Sequence, residues 1–358
     1  MATTFAVPDG RVAMAATLYT GTGAGSPQNI SNAVNAVSFQ PGLVWVKARN
    51  ANGNNAVTDS VRGAYLQLIT QLTNAEANYS PYGVTAFNAN GFGVNDDNSG
   101  NYSVNGAAGG LYSGTPPNYV AWQWKAGGTA VSNTAGTITS SVSANTTAGF
   151  SVVTYTGTGA NATVGHGLGV APAMIIVKNR TSGVPSWRVY HSALPYTSYL
   201  YLDTTNAAFT GGGVWTQTPT TTLFGINGTD AGVGTANNYV AYCWAPVAGY
   251  SAFGSYTGNG SADGTFIYTG FRPRWLMIKE ITVGGTPWMV WDSSRDTYNP
   301  EAARLVPNTS DAEVSVSIGD FVSNGIKIRQ TGTSYNATGS TYIYACFAEN
   351  PLRYSNAR

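Results

Sequence analysis

Short apolar runs separated by polar, glycine-rich stretches dominate the chain, and they read as strands. Val44-Trp45-Val46, Ile175-Ile176-Val177 and Leu276-Met277-Ile278 are β-branched or aromatic-rich, and each follows a proline, as at a strand entrance. Tyr65–Thr70, Tyr199–Leu202 and Phe150–Tyr155 have the same character, with Gly-Thr-Gly and Asn-Gly clusters supplying turns between runs. Helical periodicity is nearly absent. Gly63–Ala77 comes closest, but its counterparts later in the chain carry Pro307 and Asp203-Thr204-Thr205, which favour strand and turn. Asn118–Trp124 is apolar on both faces, with Tyr119 and Ala121 on one and Val120, Trp122 and Trp124 on the other. A half-exposed strand alternates with polar residues. This strand is therefore expected at the centre of a sheet, its outer face covered by another layer, the next unit or another subunit.

These runs recur. Tyr-Thr-Gly-Thr-Gly stands at Tyr19–Gly23 and Tyr155–Gly159, and Tyr-Thr-Gly-Asn-Gly at Tyr256–Gly260. After each comes a proline followed six positions later by a lysine: Pro41 and Lys47, Pro172 and Lys178, Pro273 and Lys279. A third landmark is Thr73–Glu76, Thr205–Ala208 and Ser310–Glu313, and a fourth is Asn118–Trp124, Asn238–Trp244 and Thr341–Phe347. Four landmarks in one order, three times over, predict an internal repeat. The fold expected is all-β, three tandem β-sandwich-like repeat units in series. Residues 1–15 are a lead-in, 16–128 the first unit, 137–249 the second and 250–358 the third, with a Gly/Thr/Ser/Asn-rich linker at Gly127–Gly136. The first unit carries an insertion at 95–117, because Phe92 to Tyr119 is longer than Ile326 to Tyr342. That stretch reads as a long surface loop.

Composition narrows the class. Apolar residues reach 43%, enough to fold, yet charged residues are only 9%, against about 25% in ordinary soluble domains. The surface must therefore be Ser, Thr, Asn, Gln and Gly, a composition of adhesins, fibres and shells more than of enzymes. Net charge is +1 without a basic block or acidic tail, which argues against nucleic acid or an anionic membrane as partner. No basic region leads into an apolar core at the N-terminus and no apolar stretch is long enough to span a bilayer, so neither signal peptide nor membrane insertion is expected. Cys243 and Cys346 occupy one repeat position in two units. Equivalent positions of separate units are expected far apart, so both read as buried, reduced strand residues.

Candidate chemistry is sparse. Only His166 and His191 are present, the first in a turn, the second where other units have Asp59 and Asp292. No Gly-x-Ser-x-Gly, His-Glu-x-x-His or Gly-Lys-Ser/Thr occurs, and Gly21–Gly25 recurs as a turn rather than as a dinucleotide loop. Asp59-Ser-Val-Arg62 and Asp292-Ser-Ser-Arg295 read as local, exposed ion pairs or capped turns of little energetic weight. Asp292, Asp296 and Glu301 lie close in sequence, as glycosidase carboxylates would have to in space. Asp96-Asp97-Asn98 lacks the ligand ladder of a calcium loop. No catalytic residue, metal site or cofactor is expected. Units of one fold share a core, so binding is sought where they differ: in the insertion, at Asp96, Asp97, Tyr102 and Tyr112.

The run from Tyr-Thr-Gly-Thr-Gly through Phe39-Gln-Pro-Gly-Leu-Val-Trp-Val-Lys47 and Asp59-Ser-Val-Arg-Gly63 to Tyr119-Val-Ala-Trp-Gln-Trp-Lys-Ala-Gly-Gly128 resembles an uncharacterised repeat domain of tailed-bacteriophage virion proteins, often tail-fibre-like. So does Gly165-His-Gly-Leu-Gly-Val-Ala-Pro-Ala-Met-Ile-Ile-Val-Lys-Asn-Arg180. The resemblance runs from about Ala15 nearly to the end and carries no established catalytic residues. It implies a non-enzymatic virion protein, assembled in the host cytoplasm: a tail-fibre or tail-tip component for host attachment or, alternatively, a capsid decoration or fibre-shaft protein. A lectin-like domain often precedes such units in larger relatives and is not found here. Implied partners are other virion proteins, further copies of the chain (a trimer by analogy) and a host cell-surface glycan or protein.

Overall fold

A computed structural model describes residues 6–97, 104–107 and 115–348. Three antiparallel main sheets share one strand order. An opening strand (Met14–Thr20, Phe150–Thr156, Ser251–Thr257) pairs with the closing strand (Asn118–Trp124, Asn238–Trp244, Thr341–Ala348). The closing strand pairs on its other side with the strand entered through the landmark proline (Leu43–Ala48, Met174–Asn179, Pro273–Glu280). A fourth strand follows (Ala56–Asp59, Arg188–His191, Met289–Asp292). The three prolines thus enter equivalent strands, and Gly63–Ala77 holds strand Leu66–Ile69 and turns rather than a helix.

Each main sheet is a middle layer. Side chains alternate between faces along a strand, and here both faces are apolar. Outward, Val44, Val46, Tyr119 and Ala121 pack on Ile30, Val84, Phe92 and Val94 of a smaller sheet (Gln28–Ser31, Gly91–Asn95, Gly83–Asn88). The second unit covers itself likewise with Ala162–Gly165 and Leu223–Ile226, the third with Phe266–Tyr268, Gly325–Ile328, Val314–Val322 and Glu301–Arg304. Inward, the three main sheets meet. Trp124 lies 5.8 Å from Trp244, 5.4 Å from Trp275 and 5.7 Å from Phe347, ring centre to ring centre, mostly edge to face. One continuous apolar core therefore contains residues of all three units.

This arrangement corrects the expectation of units in series. Trp124, Trp244 and Phe347 hold one repeat position, so equivalent residues on the inner face touch instead of standing apart. The linker reading is corrected too. Val131–Asn133 forms an edge strand on Ser140–Asn145, and a side chain on Gly127 would strike the Ala144 backbone. The lead-in also contributes to the core, through Val7 and Ala13. Cys243 and Cys346 are free, fully buried thiols, pushed well above their ordinary titration range by burial. Thiol reagents should accordingly find nothing in the native protein and two groups after denaturation; one disulfide instead of two thiols would contradict this packing.

Candidate functional site

The sequence landmarks resolve first into structural roles. In each Tyr-Thr-Gly-x-Gly segment the tyrosine stacks on the cross-strand tyrosine of the closing strand, at 5.1 Å for Tyr19–Tyr119, 5.1 Å for Tyr155–Tyr239 and 4.8 Å for Tyr256–Tyr342. Its hydroxyl donates to the loop before that strand: to Val104 O (2.6 Å), Val233 O (2.8 Å) and Tyr335 O (2.7 Å). The first glycine lets that loop approach, since a side chain on Gly21, Gly157 or Gly258 would meet backbone oxygen of Gly106, Thr235 or Ala337.

This clamp changes the picture of the 95–117 insertion. Its middle, Val104–Gly106, is buried and tied down in the way the other units tie their loops. Asn105 Oδ1 accepts from Thr22 N (3.1 Å) and Gln28 Nε2 (2.5 Å), and its Nδ2 donates to Ser26 O (3.1 Å). Asp96 is fully buried and Asp97 half-buried. Tyr102 and Tyr112 lie outside the described residues. The expectation of a surface loop throughout 95–117 is thus corrected at Val104–Gly106. Asn105→Ala should cost about 1–3 kcal/mol in urea unfolding, because the amide is fully buried and three partners around it lose their acceptor or donor.

The charged landmarks form the seams between units. At the first seam Arg62 Nε donates to Asp59 Oδ2 (2.5 Å), Nη1 to Glu76 Oε2 (2.7 Å) and Leu66 O (3.0 Å), and Nη2 to Tyr242 Oη of the second unit (3.2 Å). Arg180 of the second unit grips Glu76 through both oxygens (3.0 and 2.8 Å). At the seam of the third unit with the first, Arg295 holds Asp292 (2.6 Å) and Glu313 (2.9 Å), Arg49 grips Glu313 (2.9 and 2.8 Å), and Trp122 Nε1 donates to Asp292 (2.9 Å). The Asp59, Arg62, Asp292 and Arg295 side chains are fully buried, not exposed as their spacing suggests. The seam between the second and third units uses the same positions without charge: His191, Leu194, Ala208 and Ile281 stand for Asp, Arg, Glu and the gripping Arg. A common backbone bond runs across all three: Glu76 N to Arg180 O (2.9 Å), Ala208 N to Ile281 O (3.0 Å) and Glu313 N to Arg49 O (2.6 Å). Each unit meets the next by the same edge, and the third meets the first. The ring is closed.

Two of the three landmark lysines serve the seams as well, while Lys279 donates within its own unit, to Glu280 O and Thr286 Oγ1. Lys47 Nζ donates to Gly53 O (3.1 Å) and to Thr309 O of the third unit (3.0 Å), and Lys178 Nζ to Thr73 O of the first (2.5 Å). Burial lowers Lys47, Lys178 and Lys279 to about 8. Neither histidine is arranged for proton transfer. His191 is buried, its Nδ1 accepts from Ala193 N (3.2 Å), and its Nε2 lies 3.1 Å from Tyr344 O, which makes it a neutral donor across the uncharged seam. His166 makes the same pair of contacts to Leu168 N and Thr220 O. Of the three neighbouring carboxylates, Asp292 is occupied as above, Asp296 accepts from Ala302 N (2.6 Å) and Ala303 N (2.5 Å), and Glu301 is fully buried. Among the described residues no three His, Cys, Asp or Glu side chains are placed to hold a metal, and no helix is long and apolar enough to cross a membrane.

What remains after these roles is the outer sheet of the third unit. Phe266 and Tyr268 project from one edge strand, 44% and 68% exposed, while Ile267 between them points inward. The corresponding pairs, flanking inward Ile30 and Val164, are Asn29 and Ser31 in the first unit and Thr163 and Gly165 in the second. Only the third unit turns aromatic rings to solvent there. The sequence signal was available: Asn-Ile-Ser, Thr-Val-Gly and Phe-Ile-Tyr are three versions of one strand.

Fold and side-chain roles together define an all-β protein of antiparallel sandwiches closed into a ring around a shared aromatic core. The chain belongs to the family described as Domain of unknown function (DUF7483), whose model matches residues 12–351. A single family model thus spans the whole ring. No curated protein and no solved structure matches the chain.

Proposed function

We propose that this protein is a non-enzymatic component of a tailed-bacteriophage virion, a tail-fibre or tail-tip protein that attaches to the host surface. The observation carrying this reading is the division of labour within the ring. The buried Asp, Glu, Arg and Lys side chains of the seams hold the units to one another, leaving a surface built largely from uncharged residues. Among the described residues, the outer edge strand of the third unit alone sets two exposed aromatic rings where the other units have small or polar residues. Such a rigid scaffold with one distinct face suits display and contact, and the bacteriophage resemblance of the landmarks supplies the setting. A capsid-decoration or fibre-shaft role is the other assignment consistent with a rigid, weakly charged ring. Immunogold microscopy of virions from a lysate of cells carrying this gene separates the two. Label at the tail, together with loss of adsorption when the antibody is present, is the expected result. Label over the capsid gives the decoration role, and virions without label overturn both. Light scattering settles whether copies associate as a trimer, as fibre proteins do by analogy, or whether the ring of three units stands alone.

A further inference from the structure

The geometry points to a sugar-binding site on the outer face of the third unit, with Phe266 as the platform for one pyranose ring. This inference rests on the attachment reading for its setting and narrows it to a ligand class.

Register places the participants. Phe266 lies opposite Lys327, which lies opposite Asp320; Tyr268 lies opposite Gly325, which lies opposite Val322. Directly opposed residues of antiparallel strands share a face, so all six positions open outward, while Ile267, Ile326 and Phe321 beneath them are buried. Gly325 is the key to the shape. A Cβ there would strike Ile267 O, as one on Gly91 would strike Ile30 O, and would also come within 2.9 Å of Phe266 Cζ, so the phenyl ring reaches diagonally across the glycine. The result is a half-exposed aromatic floor over the glycine, with the Tyr268 and Val322 positions on either side. Gly91 and Leu223 occupy the Gly325 position in the other units, opposite Ser31 and Gly165, so neither builds such a floor.

The rim supplies polar groups of both kinds. Lys327 Nζ pairs with Asp263 Oδ1 at 2.7 Å, and Arg329 Nε donates to Asp320 Oδ2 at 3.0 Å. Asp263 is 82% exposed and Arg329 49%, so both retain free valence toward solvent. A pyranose has a C–H face that rests on an aromatic ring, and hydroxyls that both donate and accept. Carboxylates and cations alternating at the rim answer both needs. Two acids against two bases leave no net field to draw a polyanion, and a floor one ring wide is far smaller than a stable protein interface.

The test uses the intact protein titrated calorimetrically with maltohexaose, chitohexaose and dextran. At least one should bind in the ~millimolar range of a single stacked ring. Phe266→Ala should weaken that binding at least tenfold, and Asp263→Ala severalfold, with the melting temperature of each variant checked. Val283→Ala, an exposed residue outside this sheet, should leave it unchanged. Binding that survives Phe266→Ala would remove the site, and no binding by any of the three probes would remove the ligand class. If virions still require this protein to adsorb in either case, the attachment reading stands without it. A Phe266→Ala change that instead converts a dimer to monomers would reassign the face to self-association.

Discussion

Arg62→Leu should destabilise the protein by about 3–5 kcal/mol in urea unfolding at neutral pH, the cost of breaking a buried ion pair from one side. The substitution leaves Asp59 as a buried carboxylate whose partner is gone, and it strips the donor from Leu66 O, Val57 O and Tyr242 Oη as well. Removing one charge is costly; removing the set is not, because a buried pair replaced by packed apolar groups is often neutral. The chain already holds the replacement. At the seam between the second and third units, His191, Leu194, Ala208 and Ile281 fill the positions of Asp59, Arg62, Glu76 and Arg180. Copying them as Asp59→His, Arg62→Leu, Glu76→Ala and Arg180→Ile together should recover at least half of the loss. A fourfold variant weaker than Arg62→Leu alone would show that the seams are not interchangeable. An Arg62→Leu protein within about 1 kcal/mol of the wild type would show that Asp59 is not held as a buried charge.

The same residues show where the sequence could be read and where it could not. Strand positions, the proline entrances and the double-sided burial of the closing strand follow from local pattern, because period-two alternation and β-branched runs are properties of a few consecutive residues. Ring closure is different. Asp59 and Arg62 are three positions apart, so they read as a local surface pair, and nothing within that segment tells that Tyr242 closes over them. The signal sat in comparison between units: Asp, Arg, Glu and the distant Arg change together to His, Leu, Ala and Ile. Four positions that swap as a set are in contact, which places the units side by side rather than end to end. Comparison also governs the candidate site. Length difference drew attention to 95–117, whose middle proved to be the clamp that every unit owns, whereas the aromatic pair at Phe266 and Tyr268 differs in side chain and not in length.

Stability should fall as pH rises from about 6.5 to 8, and Glu301→Gln should abolish that fall. Glu301 opens the strand Glu301–Arg304, is fully buried, and has no hydrogen-bond partner at either carboxylate oxygen. Burial above all, then the nearby Asp296 and Asp292 carboxylates, push it up to about 8 from 4.5, against the pull of Arg272 and Arg295. Below pH 4.5 both folded and unfolded chains carry the proton. Between 4.5 and 8 the unfolded chain releases it and the folded chain keeps it, so each pH unit lowers stability by about 1.4 kcal/mol. His191 acts oppositely over a lower range. Its imidazole is lowered to about 4 from 6.5 by burial, so its contribution rises with pH until 6.5 and is then complete. Near and above 8 the buried lysines take over: each is deprotonated in the folded chain before the unfolded one, and stability rises again until, near 9, the unfolded chain's two cysteines begin to ionise while the buried thiols do not, which opposes the rise. The wild type is therefore expected to show a minimum near pH 8. Glutamine keeps the size and removes the proton, so the variant should show no fall from 6.5 to 8, turning upward as the lysines begin to lose protons near 8, and should be more stable than wild type at pH 8 by roughly 2–5 kcal/mol. Parallel melting curves for the two proteins across that window would mean that Glu301 is ionised in the folded state and that a cation reaches it.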